Sequence, residues 1–384
     1  MTAWLDRTAL SPELRILLAA AGPAPAAGPI ETGRFDSNEL FRLAGAHRMI
    51  PLLHALAADG NLEVPDALRQ KLTDEAQAIA QHNLRLTAEL LDLLAGFARR
   101  EVPVLVWKGP ALALAAYGNL ALRGFYDLDL LVAPGAIPAA ARVLAEGGYS
   151  IALGSPDVLH SIYLAGEYHF PFRKRDGGMA LELHAAVVPY YFAASPRFTG
   201  LWARRAACAL GRESLPVLGP EDLVLSLALH GAKHCWWQLE SVATLGRLLA
   251  RSPALDYIAL EDRARRLGVR RILGLALRLA ETFTGIALPH PPPPCATTEA
   301  LVGQVIDTFR GACPGRPSVV STPRFHSACC DTAAGRVRYW AKSILVPNWD
   351  DFRWLPLPRA LFPLYWVLRP ARLLRQHLTS ILSS

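Results

Sequence analysis

The sequence predicts an α/β unit set between two helical regions, and three observations predict it. Residues 10 to 100 carry apolar side chains at three- and four-residue spacing. Residues 101 to 186 switch to short apolar or alternating runs punctuated by Gly and Pro. Residues 220 to 288 return to helical spacing. With 384 residues, 52% hydrophobic and 19% charged, the chain can bury a large core, which excludes a disordered or fibrous protein.

In the first region, residues 37 to 60 and 64 to 100 read as amphipathic helices, and Pro65 suits the first turn of the second. The run 23 to 33, rich in Pro and Gly, reads as a loop. The α/β unit begins with VPVLVW, a strand that Lys108-Gly109-Pro110 breaks. ALALAAYG then reads as a helix, YDLDLLVAP as a strand, and GAIPAAARVLAEGGY as a helix closed by Gly147-Gly148. Residues 168 to 172 and 179 to 185 are strand-like and joined by RKRDGG, a hairpin-type turn. PHPPPP at 289 to 294 cannot continue a helix and reads as a linker. The expected organisation is 1 to 100 helical, 101 to 200 the α/β core, 201 to 290 helical, and 291 to 384 a linker with an apolar, basic extension.

The net charge of +7 suits a polyanionic partner, although no Lys/Arg run forms a nucleic-acid arm and no sequence-specific nucleic acid is expected. The six cysteines form no C-x-x-C pair, so they read as ordinary thiols of a reducing, cytoplasmic protein. The N-terminus reads as an amphipathic start rather than a signal peptide, and no apolar run is long enough to cross a bilayer.

The chemistry concentrates in the α/β unit. Asp127 and Asp129 alternate on one strand, so both carboxylates face one way, about 7 Å apart, while Leu128 and Leu130 face the core. A lone D-x-D is ordinarily two surface acids, but its surroundings here are not neutral. Lys108-Gly109 ends the preceding strand and opens a helix, where free N–H groups and a close backbone approach suit a phosphate. Glu182 lies on a later strand with Ala180 and His184 on its face. Arg123, four residues before Asp127, is placed to pair with a phosphate or with the carboxylates. On the later helix, His230 and His234 have the i, i+4 spacing of a zinc site but lack a third ligand, and Lys233 between them is the better phosphate contact. His169 borders the same strand face less closely than His184.

Residues 102 to 149 resemble the nucleotidyltransferase-like family of bacteria within the polymerase-β-type superfamily. The likeness rests on the Lys-Gly turn, the Arg before D-x-D, the following Leu-Leu-Val and the closing Gly-Tyr. It continues through Glu182-Leu183-His184 and HGAKHCW, covering roughly residues 35 to 288. The resemblance implies a polymerase-β-type mixed sheet with helices, and a transferase moving a nucleoside monophosphate from an NTP, ATP being expected, to a hydroxyl. It implies two Mg²⁺ ions held by Asp127, Asp129 and Glu182, which would also be the catalytic residues. Lys108, Gly109, Arg123, Lys233 and His184 would contact the nucleotide. The acceptor stays open among protein, peptide, sugar and small molecule. One departure is Thr244, where the family's helical motif often continues to an Asp. That departure leaves open an idle nucleotide-binding or antitoxin-like partner. The tail LPLPRALFPLYWVLRPARLLRQHL leaves open a peripheral protein at the inner face of a membrane, though the tail can equally dock on the helical region.

Overall fold

The computed structural model describes residues 10–23, 30, 33–151, 168–175, 179–310 and 321–382. Most of the predicted loop at 23 to 33, part of the turn at 176 to 178, and the N-terminal nine residues lie outside these.

The chain opens with α1 (Pro12–Ala21), α2 (Ser37–Ala46), α3 (Ile50–Ala58) and α4 (Asp66–Arg99). Ser11 caps α1, accepting from the Leu14 N–H, and Asp36 caps α2, accepting from Asn38 and Glu39. The 34-residue α4 spans two cores. Its Leu68, Leu72 and Ile79 pack in the larger, helical core, whereas Leu86, Leu90, Leu93 and Phe97 pack beneath the sheet. One continuous stripe of apolar residues thus clamps the helical region to the α/β unit.

The α/β unit follows as β1 (Val104–Val106), α5 (Gly109–Tyr117), β2 (Asp127–Val132), α6 (Ile137–Glu146), β3 (Tyr149–Ile151), β4 (His169–Lys174) and β5 (Ala180–His184). After α7 (Phe198–Ala203) come β6 (Ala206–Leu210) and β7 (Glu213–Val217), so the sheet draws on the chain beyond residue 200. The seven strands run in the order β3-β4-β5-β2-β1-β7-β6. β2 pairs parallel to β5 and antiparallel to β1, while β4 pairs antiparallel to β5. This mixed sheet with helices is the α/β fold read from the sequence. Along β2, Leu128, Leu130 and Val132 enter the core shared with α4 and α6, and Leu131 enters the larger core on the other face.

The helical region beyond the sheet comprises α8 (Pro220–Lys233), α9 (Leu239–Ala250), α10 (Tyr257–Leu267) and α11 (Arg270–Thr284). The polyproline run at 289 to 294 is irregular. Then come α12 (Ala296–Arg310), α13 (Ser321–Ala328), α14 (Ala333–Leu345), α15 (Trp349–Trp354) and α16 (Tyr365–Leu382). Among the described residues no helix is long and apolar enough to cross a membrane.

Candidate active site

Register decides which acids meet. The parallel β2/β5 ladder sets Asp127 opposite Ala180, Asp129 opposite Glu182, and Leu131 opposite His184. Because side chains alternate, these positions share the face turned toward α5, α8 and α9. Of these, Asp127, Asp129, Glu182 and His184 line a cleft of about 220 Å³ together with Lys108, Gly109, Arg123, His230 and Lys233. A larger groove of about 980 Å³, lined by Tyr190, Phe192 and Tyr339, contains none of these acids.

The turn before β2 is held from below. Asn83, fully buried on α4, donates to the carbonyls of Leu120 and Arg123 at 2.6 and 2.8 Å, and its Oδ1 accepts from the Phe125 N–H. Before α5, Gly109 adopts a φ of +57°. That left-handed backbone, with nothing closer than 3.9 Å to an added Cβ, explains the glycine through conformation rather than crowding.

Within the cleft, the Lys108 ammonium and His184 Nε2 each lie 2.9 Å from the same oxygen of Asp129. His184 Nε2 is also 3.3 Å from Glu182, and His169 Nε2 is 3.8 Å from the other Glu182 oxygen. Asp129, Glu182 and His184 each offer an atom within 4.8 Å of the others, the only such group of three or more His, Cys, Asp and Glu among the described residues. Two carboxylate oxygens and an imidazole nitrogen are a donor set that fits a divalent cation. Asp127, expected as a ligand, stands outside this group at the half-buried start of β2. The His230 and His234 rings are 4.6 Å apart, and neither belongs to the group, so among the described residues the i, i+4 pair gathers no third ligand.

Burial and neighbouring charges set the protonation states. Burial, and then repulsion from Asp129, push the Asp127 carboxyl up to about 6 against the pull of Lys108. Burial would raise Asp129 too, but Lys108 and the hydrogen bond from His184 hold it well below the usual carboxylate range. For Glu182, the hydrogen bond and charge of His184 overcome burial and hold it down to about 2. His184 in turn stays above its ordinary value, because its bonds to Asp129 and Glu182 outweigh desolvation. Desolvation prevails at His169, lowered to about 3, and at His230, far below its usual range. Asp129 and Glu182 therefore favour the protonated form of His184, and a cation entering the group would compete with that proton.

Arg123 lines the cleft but gives its Nε to Glu240 Oε1 at 2.7 Å. The same Glu240 oxygen accepts from the Thr244 hydroxyl at 2.7 Å, and Thr244 meets the Tyr117 hydroxyl at 2.8 Å. All four side chains are buried or nearly so, and Arg123 Nη1 has no protein partner. Lys233 reaches the Tyr168 hydroxyl and lies 4.8 Å from its ring centroid. Sequence reading missed Glu240 and Tyr117. The signal for Glu240 was its place four residues before Thr244, hence on the same helical face. It also missed Arg48 and Tyr126 at the cleft wall, where the guanidinium sits 5.1 Å from the ring centroid.

A sheet that turns its acids into one cleft, below a glycine-opened helix and against a helical bundle, has the frame of a nucleotidyltransferase domain. The chain belongs to the uncharacterised nucleotidyltransferase family, whose model matches residues 33–285. No curated protein and no solved structure matches the chain.

Proposed function

We propose that the protein moves a nucleoside monophosphate from an NTP, with ATP the expected donor, to a hydroxyl acceptor. The observation that carries this reading is the β2/β5 register, which gathers Asp127, Asp129 and Glu182 on one face beside the N-terminus of α5. Asp129, Glu182 and His184 supply one divalent site, and Asp127 completes the set expected for two Mg²⁺ ions. Bound there, divalent cations stabilise the attacking and leaving oxygens of an in-line displacement. The imidazole of His184 also admits a softer ion such as Mn²⁺.

The rest follows from the chain's own groups. Free N–H groups at the start of α5, with Gly109, cradle phosphate oxygens. Arg123, which lines the cleft and is held by Glu240, supplies a guanidinium charge to the polyphosphate. Lys108 and Lys233 add positive charge on either side of the acids. With a divalent cation beside it to acidify the acceptor hydroxyl, Glu182 would help as general base by taking that proton.

The test is incubation of purified protein with divalent metal, each labelled NTP and cell extract, followed by pyrophosphate release and mass spectrometry of labelled products. Asp127→Asn with Asp129→Asn should reduce both signals to background while the thermal transition persists. Absence of NTP binding and of pyrophosphate release in the wild type would overturn the reading. One observation favours an idle nucleotide-binding partner instead: Lys108 already neutralises Asp129 internally. Tight, metal-dependent NTP binding without product under any acceptor would select that alternative.

A further inference from the structure

The C-terminal helices, which lie beyond the family match, reverse the distribution of charge and apolar surface expected of a water-facing unit. On α16, Arg369 and Arg372 are 5% and 4% exposed, and both grip Asp351 of α15, at 2.7 and 2.5 Å. Arg369 also donates twice to the Ser343 carbonyl of α14, which binds the three helices together. On the opposite side of α16, Val367 and Leu374, seven residues apart, are 73% and 62% exposed. On α14, Tyr339 is buried in the main core, while Val337, Trp340 and Ile344 form an outward stripe. Trp354, Leu355, Leu361, Leu364 and Trp366 are likewise exposed. Scattered exposed apolar residues are ordinary, but stripes on successive helices of one small unit are not.

We infer that this face is a docking surface for an anionic lipid bilayer. Charge complementarity chooses the occupant. Residues 331–384 hold eight Lys and Arg against three Asp, five of the chain's seven net positive charges. Of the acids, Asp351 is consumed inside by the two arginines, and Asp331 caps α11 through the Arg270 and Arg271 N–H groups. Arg336 and Arg338 flank the α14 stripe and are exposed, as are Arg353 and Arg375. Exposed Trp340, Trp354 and Trp366 suit the bilayer interface, where an amphipathic ring meets both hydrocarbon and headgroups. Apolar stripes provide insertion, cations provide attraction to acidic headgroups, and the buried Arg–Asp cluster keeps the stripes outward. The acid-lined cleft is built from other elements and shares no lining residue with these helices.

Co-sedimentation of the full chain with vesicles tests this, using phosphatidylcholine alone and phosphatidylcholine mixed with phosphatidylglycerol. The wild type should prefer the anionic vesicles by about tenfold or more, with binding weakened by high salt. Val337→Ser, Val367→Ser and Leu374→Ser together should abolish that preference with the thermal transition retained, since all three side chains point away from the protein. Asp127→Asn with Asp129→Asn should leave it unchanged, which separates this inference from the nucleotidyl-transfer reading. Equal or negligible binding to both vesicle types by the wild type would overturn it. So would a wild-type dimer in light scattering that the triple-serine variant converts to monomer, because a second copy would then be the occupant.

Discussion

Thr244 sits on α9 between two other buried polar groups, and its hydroxyl connects Tyr117 to Glu240. Glu240 lies one helical turn before Thr244 on α9, and the Thr244 hydroxyl ties its carboxylate in place. Replacing Thr244 with Val keeps the shape but strips one partner each from a buried phenol and a buried carboxylate. We expect a loss of about 1 to 3 kcal/mol in chemical denaturation. We also expect a steeper loss of affinity for NTP than for NMP, because Arg123, the guanidinium proposed to meet the polyphosphate, is held by the same Glu240. Thr244→Ser should recover both. Equal weakening toward NTP and NMP would assign Thr244 to the fold alone. Gly231 offers a second check at this scale. A Cβ there would sit 2.4 to 2.5 Å from the Trp236 indole, so Gly231→Ala should dislodge that buried ring and shift tryptophan fluorescence to the red.

At the scale of elements, α4 matters to the site although it contributes no group to the cleft. Asn83 satisfies three backbone groups of the turn that delivers Arg123 and Asp127. Asn83→Ala orphans two carbonyls and an N–H in a dry setting, with an expected cost on the order of 3 kcal/mol in a denaturant titration. Asn83→Asp keeps the Phe125 contact but sets a buried carboxylate oxygen against two carbonyl oxygens, so it should cost at least as much as Asn83→Ala. An unchanged midpoint for Asn83→Ala would remove α4 from the support of the site. Such a residue was not legible in the sequence, because an Asn on a helical stripe gives no sign of a partner 40 positions away. The elements themselves were unevenly legible. β2 and β5 announced themselves by alternating acids and leucines, and α5 by its Gly-Pro start. β6 and β7 did not, since Ala207, Ala209 and Pro216 are poor strand formers. Their conformation is imposed by the free edge of β1, which β7 joins at Val106↔Val217. Pro171 in β4 gave a contrary signal. Its pairing with Glu182 is compatible with Pro because, among the described residues, β3 pairs with β4 no nearer than Phe172. Which acids face each other depended on strand pairing. The sequence could place Asp127 and Asp129 on one strand and Glu182 on another, but only the ladder shows His184 completing the group.

At the scale of the molecule, acid should loosen the packing of helices around the sheet, because histidines are buried neutral at its seams. His47, at the end of α2, accepts from the Leu239 N–H of α9 at 3.3 Å, and burial lowers it to about 4. His326 on α13 lies 2.8 Å from the Lys233 carbonyl of α8, and burial likewise lowers it to about 4. In the unfolded chain each has an ordinary value near 6.5. Between those values the unfolded state binds more protons than the folded one, so stability rises with pH across that window. The full contribution is present above about pH 6.5, is lost progressively as pH falls toward 4, and declines no further from these groups below that. Each shift corresponds to roughly 3 kcal/mol. The measurement is unfolding free energy against pH from 5 to 7.5, a range that avoids most carboxylate titration. His47→Asn retains an acceptor for Leu239 but cannot take up the proton. Its absolute stability can move either way with packing, so the informative quantity is the slope. We expect the variant to take up about one proton fewer on unfolding near pH 5 than the wild type. An identical slope would mean that the α2–α9 seam opens or hydrates without unfolding, leaving His47 free to protonate in the native protein.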